Sequence, residues 1–153
     1  MKPKISDFGM ARIFKKDEKE ANTSHIVGTY GYIPPECMQK GIYFTKSNVY
    51  SFGVLLLQIT SGKKTACYYG LDENLNPLEY AYELWREGKG MEFMDPTLDD
   101  TNSLCKLIRC MRTALLCVQE NAIDRPSMLE VSSLLKNETV VVKIPKCLHF
   151  QQK

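Results

Sequence analysis

A mainly α domain with little strand is predicted for these 153 residues. Three observations carry that expectation. Leu104, Leu107, Ile108, Met111, Leu115 and Val118 recur at the 3, 1, 3, 4, 3 spacing of a single helical face. The stretch "SNVYSFGVLLLQITSG" is apolar on every side of a helix, so it belongs in an interior. Residues 12 to 33 are polar and punctuated by glycine, which reads as a long loop.

Taken in order, Lys4 to Ser6 reads as a short strand. The helix from about Lys46 to Thr60 has Ser47 as its N-cap and Gly62 as its stop. A second helix starts at Pro77, capped by Asn76, with Leu78, Tyr82 and Trp85 on one face and Gly88 or Gly90 ending it. The periodic stretch around Leu104 to Val118 is the third. A fourth runs from Pro126 to about Lys136, with Met128, Val131, Leu134 and Leu135 turned inward. The end, "TVVVKIPKCLHFQQK", has no helical period and contains Pro145. The expected organisation is one domain over 1–138 and a loosely attached tail over 139–153.

Composition narrows the function classes. A chain of this length buries about 70% of its unfolded surface, enough for one core. The net charge of +2 supplies no basic stripe, so nucleic acid is not an expected partner. Lys15, Lys16 and Lys19 alternate with Asp17, Glu18 and Glu20 as a solvated run. No apolar stretch reaches the roughly 18 residues of a membrane span, and no signal-peptide core opens the chain. A cytosolic location with no direct membrane insertion is therefore expected. None of the six cysteines forms a C-x-x-C pair, which argues against zinc and for reduced, buried thiols. On the same grounds the sequons at Asn22 and Asn137 read as accidental.

The chemistry-bearing motifs are "KISDFGMARIF", "GTYGYIPPE", "SNVYSFGVLLLQITSGKK" and "DRPSM", in that order. Asp-Phe-Gly alone is a common tripeptide. Together with the other three, at these separations, it is a specific constellation. The chain resembles the protein kinases, and more narrowly plant receptor-like serine/threonine kinases of the S-locus lectin-type and cysteine-rich groups. "AYELWREGKG" and "ALLCVQENAIDRPSM" extend the likeness, which covers residues 2 to about 138. The implied fold is the C-terminal lobe of a kinase domain, without the β-rich N-lobe and the catalytic loop.

The resemblance assigns roles. Asp7 matches the aspartate that holds magnesium against the ATP phosphates. Phe8 matches the ring whose packing sets the active state, and Gly9 frees the turn. Residues 10 to 33 correspond to the activation and substrate-docking loop. Its hydroxyls at Thr23 and Ser24 are either phosphorylation sites or ordinary loop polars, and Thr29 matches a threonine that contacts the catalytic machinery. Glu36, in "PPE" where the family has Ala-Pro-Glu, matches the glutamate that pairs with a distant arginine, here Arg125. Asn48 stands where the family has an aspartate that bonds the catalytic-loop backbone. It keeps the size and loses the charge, although it retains an acceptor for one backbone bond.

The Gly-rich loop, strand lysine, partner glutamate and His-Arg-Asp catalytic loop of the family have no match in this sequence. Met1 falls where relatives often carry an internal methionine, which points to a truncated product or a gene reading begun internally. Three functions stay open. One is a truncated, pseudokinase-like C-lobe that neither binds ATP and magnesium nor phosphorylates alone. Another is an incomplete reading of an active kinase that transfers the ATP γ-phosphate to protein serine or threonine, anchored in full-length relatives by one plasma-membrane span with the kinase on the cytoplasmic side. The last is a non-catalytic module that docks on related kinase domains. The missing upstream helices predict that several of Tyr50, Leu55, Leu56 and Leu57 face solvent as an association surface.

Overall fold

The computed structural model describes residues 4–6, 8–9, 11, 13–15, 18, 20–23, 25–63, 77–98, 104–136 and 144–146. Its elements are β1 (Glu20–Asn22), α1 (Pro35–Lys40), β2 (Ile42–Phe44), α2 (Ser47–Ser61), α3 (Pro77–Arg86), α4 (Leu104–Cys117) and α5 (Met128–Lys136). Two short 3-10 turns, Gly90–Phe93 and Pro96–Leu98, join α3 to α4. The architecture is mainly α, as the apolar spacing predicts. β1 and β2 form a minimal antiparallel pair, with Ala21 opposite Tyr43. Lys4 to Ser6 is exposed coil, not the strand expected there: among the described residues no neighbouring strand satisfies its backbone.

The core lies between α2, α3 and α4. Tyr50, Val54 and Leu57 from α2 meet Leu78, Ala81 and Tyr82 from α3 and Met111, Ala114 and Leu115 from α4. The closest crossing joins α2 to α4 at Gly53. A Cβ there would lie 2.6 Å from Cys117 Cβ and 2.8 Å from Val118 Cγ1. Val49 and Cys117 form a second cluster with Val131 of α5.

Both ends of α2 fall within one residue of the expected bounds. Gly62 ends it in the left-handed conformation, φ +67°, and a Cβ there would strike the Asp95 carboxylate at 2.2 Å. Ser47 is not the N-cap. Lys46 precedes the helix without a capping side chain, because the Ser47 hydroxyl is engaged elsewhere: it accepts from Phe44 N–H and donates to Glu36.

Several inward assignments change. Tyr50 and Leu57 are buried under α3 and α4, Leu56 is partly buried, and of the four residues expected to face solvent only Leu55 is exposed. Ile59, not among those four, is exposed as well. Ile108 and Met128 point outward although they fit the apolar period, since each lies at the edge of a face that the other helices cover only in part. Cys37 and Cys117 are buried thiols, whereas Cys105 is exposed. Cys67, Cys147 and Asn137 lie outside the described residues. Among the described residues no helix is long and apolar enough to cross a membrane.

Candidate functional site

The site is built where the "GTYGYIPPE" segment meets the start of α2 and the turn before α5. Pro34 and Pro35 set its local geometry. Pro34 is extended, φ −70° and ψ 158°, and Pro35 occupies the first helical positions of α1, where a missing N–H leaves no bond unmade. The next residue, Glu36, is thereby aimed inward. Gly41 then ends α1 at φ +63°, and a Cβ there would lie 2.4 Å from Thr23 O. That close approach allows Thr23 N–H to bond Gly41 O at 2.9 Å and carries the loop onto β2.

Glu36 and Arg125, 89 positions apart, form a bidentate pair. Arg125 Nη1 donates to Glu36 Oε1 at 2.6 Å and Nη2 donates to Oε2 at 2.8 Å. The Arg125 side chain is fully buried and that of Glu36 is 13% exposed. Every N–H of the guanidinium is used. Nε donates to Gln119 O at 2.7 Å, Nη2 also reaches Glu120 O at 2.9 Å, and Nη1 makes a longer bond to Lys46 O at 3.4 Å. The cation sits 5.0 Å from the Tyr50 ring centroid. Lys46 closes the far side, with Nζ donating to Arg125 O at 2.6 Å and to Ile123 O at 3.1 Å. Burial of this kind is tolerated because each charge is paired and each remaining donor finds a carbonyl.

Ser47 Oγ donates to Glu36 Oε1 at 3.1 Å, and Cys37 Sγ reaches Ile42 O at 3.1 Å and Ser47 at 3.6 Å. Burial pushes the Cys37 thiol above its ordinary range, and the Ser47 hydrogen bond offsets part of that rise. Further along the segment, Tyr32 N–H closes a turn on Thr29 O at 3.1 Å. Ser51 Oγ donates to Tyr32 O at 2.8 Å, and the Tyr32 hydroxyl donates to the Gln58 amide oxygen. The loop is thus fastened to α2 one and three turns into that helix.

Beside these tethers lies an open cleft of about 560 Å³, bordered by Val27, Gly28, Thr29, Ile33 and Asn48. Thr29 and Asn48 are both exposed and edge the same cleft. Phe8 and Gly9 are exposed in coil, and Thr23 sits at the end of β1, its hydroxyl accepting from His25 N–H at 3.2 Å. Asp7 and Ser24 lie outside the described residues. The structure therefore joins Glu36 to Arg125 and places Thr29 near Asn48, while Phe8 is not gathered with either pair.

Among the described residues no three His, Cys, Asp or Glu side chains come together. Several site residues were not legible beforehand. Ser47 carried only a capping signal, Lys46 and Gln58 read as helix positions, and Tyr50 as one of the residues expected to face solvent. Gln119 left one trace: a polar residue continuing a buried apolar run.

A family profile described as protein tyrosine and serine/threonine kinase matches residues 1–135. The receptor-like serine/threonine-protein kinase SD1-8 of Arabidopsis thaliana is 50% identical over 95% of this chain and 18% of its own length. The G-type lectin S-receptor-like serine/threonine-protein kinase SRK of the same plant is 49% identical over 95% of this chain and 18% of its length. Its cysteine-rich receptor-like protein kinase 34 is 44% identical over 98% and 23% respectively. The chain thus spans about a fifth of the length of these relatives. A kinase family of this type uses magnesium and ATP on protein substrates. On the profile match and these identities, the chain belongs to the protein tyrosine and serine/threonine kinase family, with receptor-like serine/threonine kinases of plants as its relatives.

Proposed function

We propose that these residues form the scaffolding and substrate-docking part of a receptor-like serine/threonine kinase, and that alone they neither hold MgATP nor transfer phosphate. The Glu36–Arg125 clamp is the observation that carries this reading. Together with the Ser51 and Gln58 tethers it presents the Gly28–Pro35 segment on a rigid helix. In the resemblance that segment docks the substrate peptide, and Thr29 and Asn48 edge the cleft where a catalytic loop seats. Phosphoryl transfer depends on positioning and on charge stabilisation. The sequence holds Asp7 from that machinery but no Gly-rich loop and no His-Arg-Asp segment. Joined to those groups in a longer protein, the same residues serve transfer of the ATP γ-phosphate to protein serine or threonine on the cytoplasmic side of a plasma membrane.

The purified 153-residue chain should give no label transfer from γ-labelled ATP to a serine/threonine substrate, and no MgATP-dependent rise in melting temperature. Transfer above the no-enzyme rate would sink the reading. The exposed Leu55 and Ile59 favour a second one, in which α2 takes an apolar helix from a related kinase domain. Failure to co-purify with such domains removes it.

A further inference from the structure

The stretch after α5 is not loose where it is described. Ile144, Pro145 and Lys146 lie against the turn between α4 and α5, and Pro145 is buried. Gln119, itself 3% exposed, reads the backbone of Lys146 with both ends of its amide. Nε2 donates to Lys146 O at 3.3 Å, and Oε1 accepts from Lys146 N–H at 3.2 Å. Nε2 also donates to Leu115 O at 2.9 Å, which fixes the amide's orientation. Lys146 Nζ donates to Asp124 Oδ1 at 2.6 Å. Beside this contact runs a groove of about 630 Å³ whose apolar wall includes Leu116, Ile123, Leu129 and Leu134, with Ile144 on its rim.

The segment's own chemistry matches this contact. A residue before proline is biased to extended backbone, and proline brings no N–H that would need a partner. The one amide of the pair able to donate, that of Lys146, meets the buried acceptor on Gln119. A paired amide, a buried proline and an acidic side chain are parts of an extended-peptide site, while Ile144 stays 76% exposed at the groove's rim.

We propose that Gln119 and Asp124, at the edge of this groove, form a docking site for an extended proline-lysine segment, occupied in cis by Pro145 and Lys146. The Gln119 side chain reads the segment, while its backbone carbonyl accepts from Arg125. One residue thereby ties the tail to the arginine that holds Glu36. The Lys146–Asp124 pair is half exposed, so it sets register more than affinity.

The test frees the groove and refills it in trans. In the full chain carrying Pro145→Asp and Lys146→Pro, which removes the buried ring and the amide that donates to Gln119, a fluorescein-labelled peptide of residues 141–150 should bind saturably by anisotropy. Adding Gln119→Leu to that host should weaken binding by about tenfold or more, because the amide's two bonds are lost while the backbone acceptor for Arg125 stays. Adding Asp124→Lys instead should reverse the preference toward a peptide with Lys146→Glu. No saturable binding to a folded host, or equal binding after Gln119→Leu, overturns the proposal. If the freed host does not fold, amide hydrogen exchange at Lys146 decides: it should be slow in the unmodified chain and faster after Gln119→Leu, and equal rates overturn the proposal.

Discussion

Arg125 is the residue on which most of the described network converges. Its five N–H groups all have acceptors, and its partner Glu36 is nearly as enclosed. Removing either partner leaves a buried charge without compensation. Arg125→Ala and Glu36→Ala should each lower unfolding free energy by about 3–5 kcal/mol in urea titrations. Arg125→Lys should recover little of the loss, since an ammonium cannot supply two parallel bonds to one carboxylate. A double variant costing no more than one single variant would show that the pair acts as a unit. Exposed pairs such as Arg86–Glu83 belong to a different class, in which solvent screening leaves little net gain.

Helix α2 is governed by its two faces. On the inner face, Gly53 lets α4 approach closely. Alanine would gain about 1 kcal/mol of helix propensity. Its methyl, however, would stand 2.6 Å from Cys117 Cβ and 3.0 Å from Ala114 O, and backbone atoms do not move aside cheaply. Overpacking costs of roughly 1–3 kcal/mol should win, so Gly53→Ala should lower the melting temperature of the chain. On the outer face, Ile59 is 60% exposed. Ile59→Glu should change stability by less than about 0.5 kcal/mol, measured by the same titration. A larger loss would mean that the outer face is covered in solution, in favour of the second reading of function.

The whole chain's stability should fall in alkali with a recognisable contribution from Cys117. Burial pushes that thiol from an ordinary 9.0 up to about 12, with Arg125 offsetting part of the rise. Below pH 9 both the folded and unfolded thiols are protonated, and the contribution is fully present. As pH rises from 9 toward 12 only the unfolded chain loses the proton, so the unfolded state gains and stability is lost. Denaturation curves of Cys117→Ala against the unmodified chain should diverge across that window, the alanine variant declining less steeply. Parallel curves would show that the thiol titrates alike in both states.

Much of this molecule was legible in advance because local rules operate over a few residues. Apolar spacing placed α4, Pro77 opened α3 and Gly62 stopped α2, each through the geometry of one or two turns. The four ordered motifs pointed to the kinase C-lobe in the same local way. Which apolar residues ended up covered was not local. Tyr50 and Leu57 are buried, and Ile108 and Met128 exposed, according to which neighbouring helix arrives, and periodicity cannot say how wide a face will be covered. The same holds for Ser47, whose hydroxyl serves Glu36 in place of capping a helix, and for Gln119, whose amide meets a backbone 27 positions away. Such contacts depend on chain segments brought together by burial of the core, so only the folded arrangement decides them.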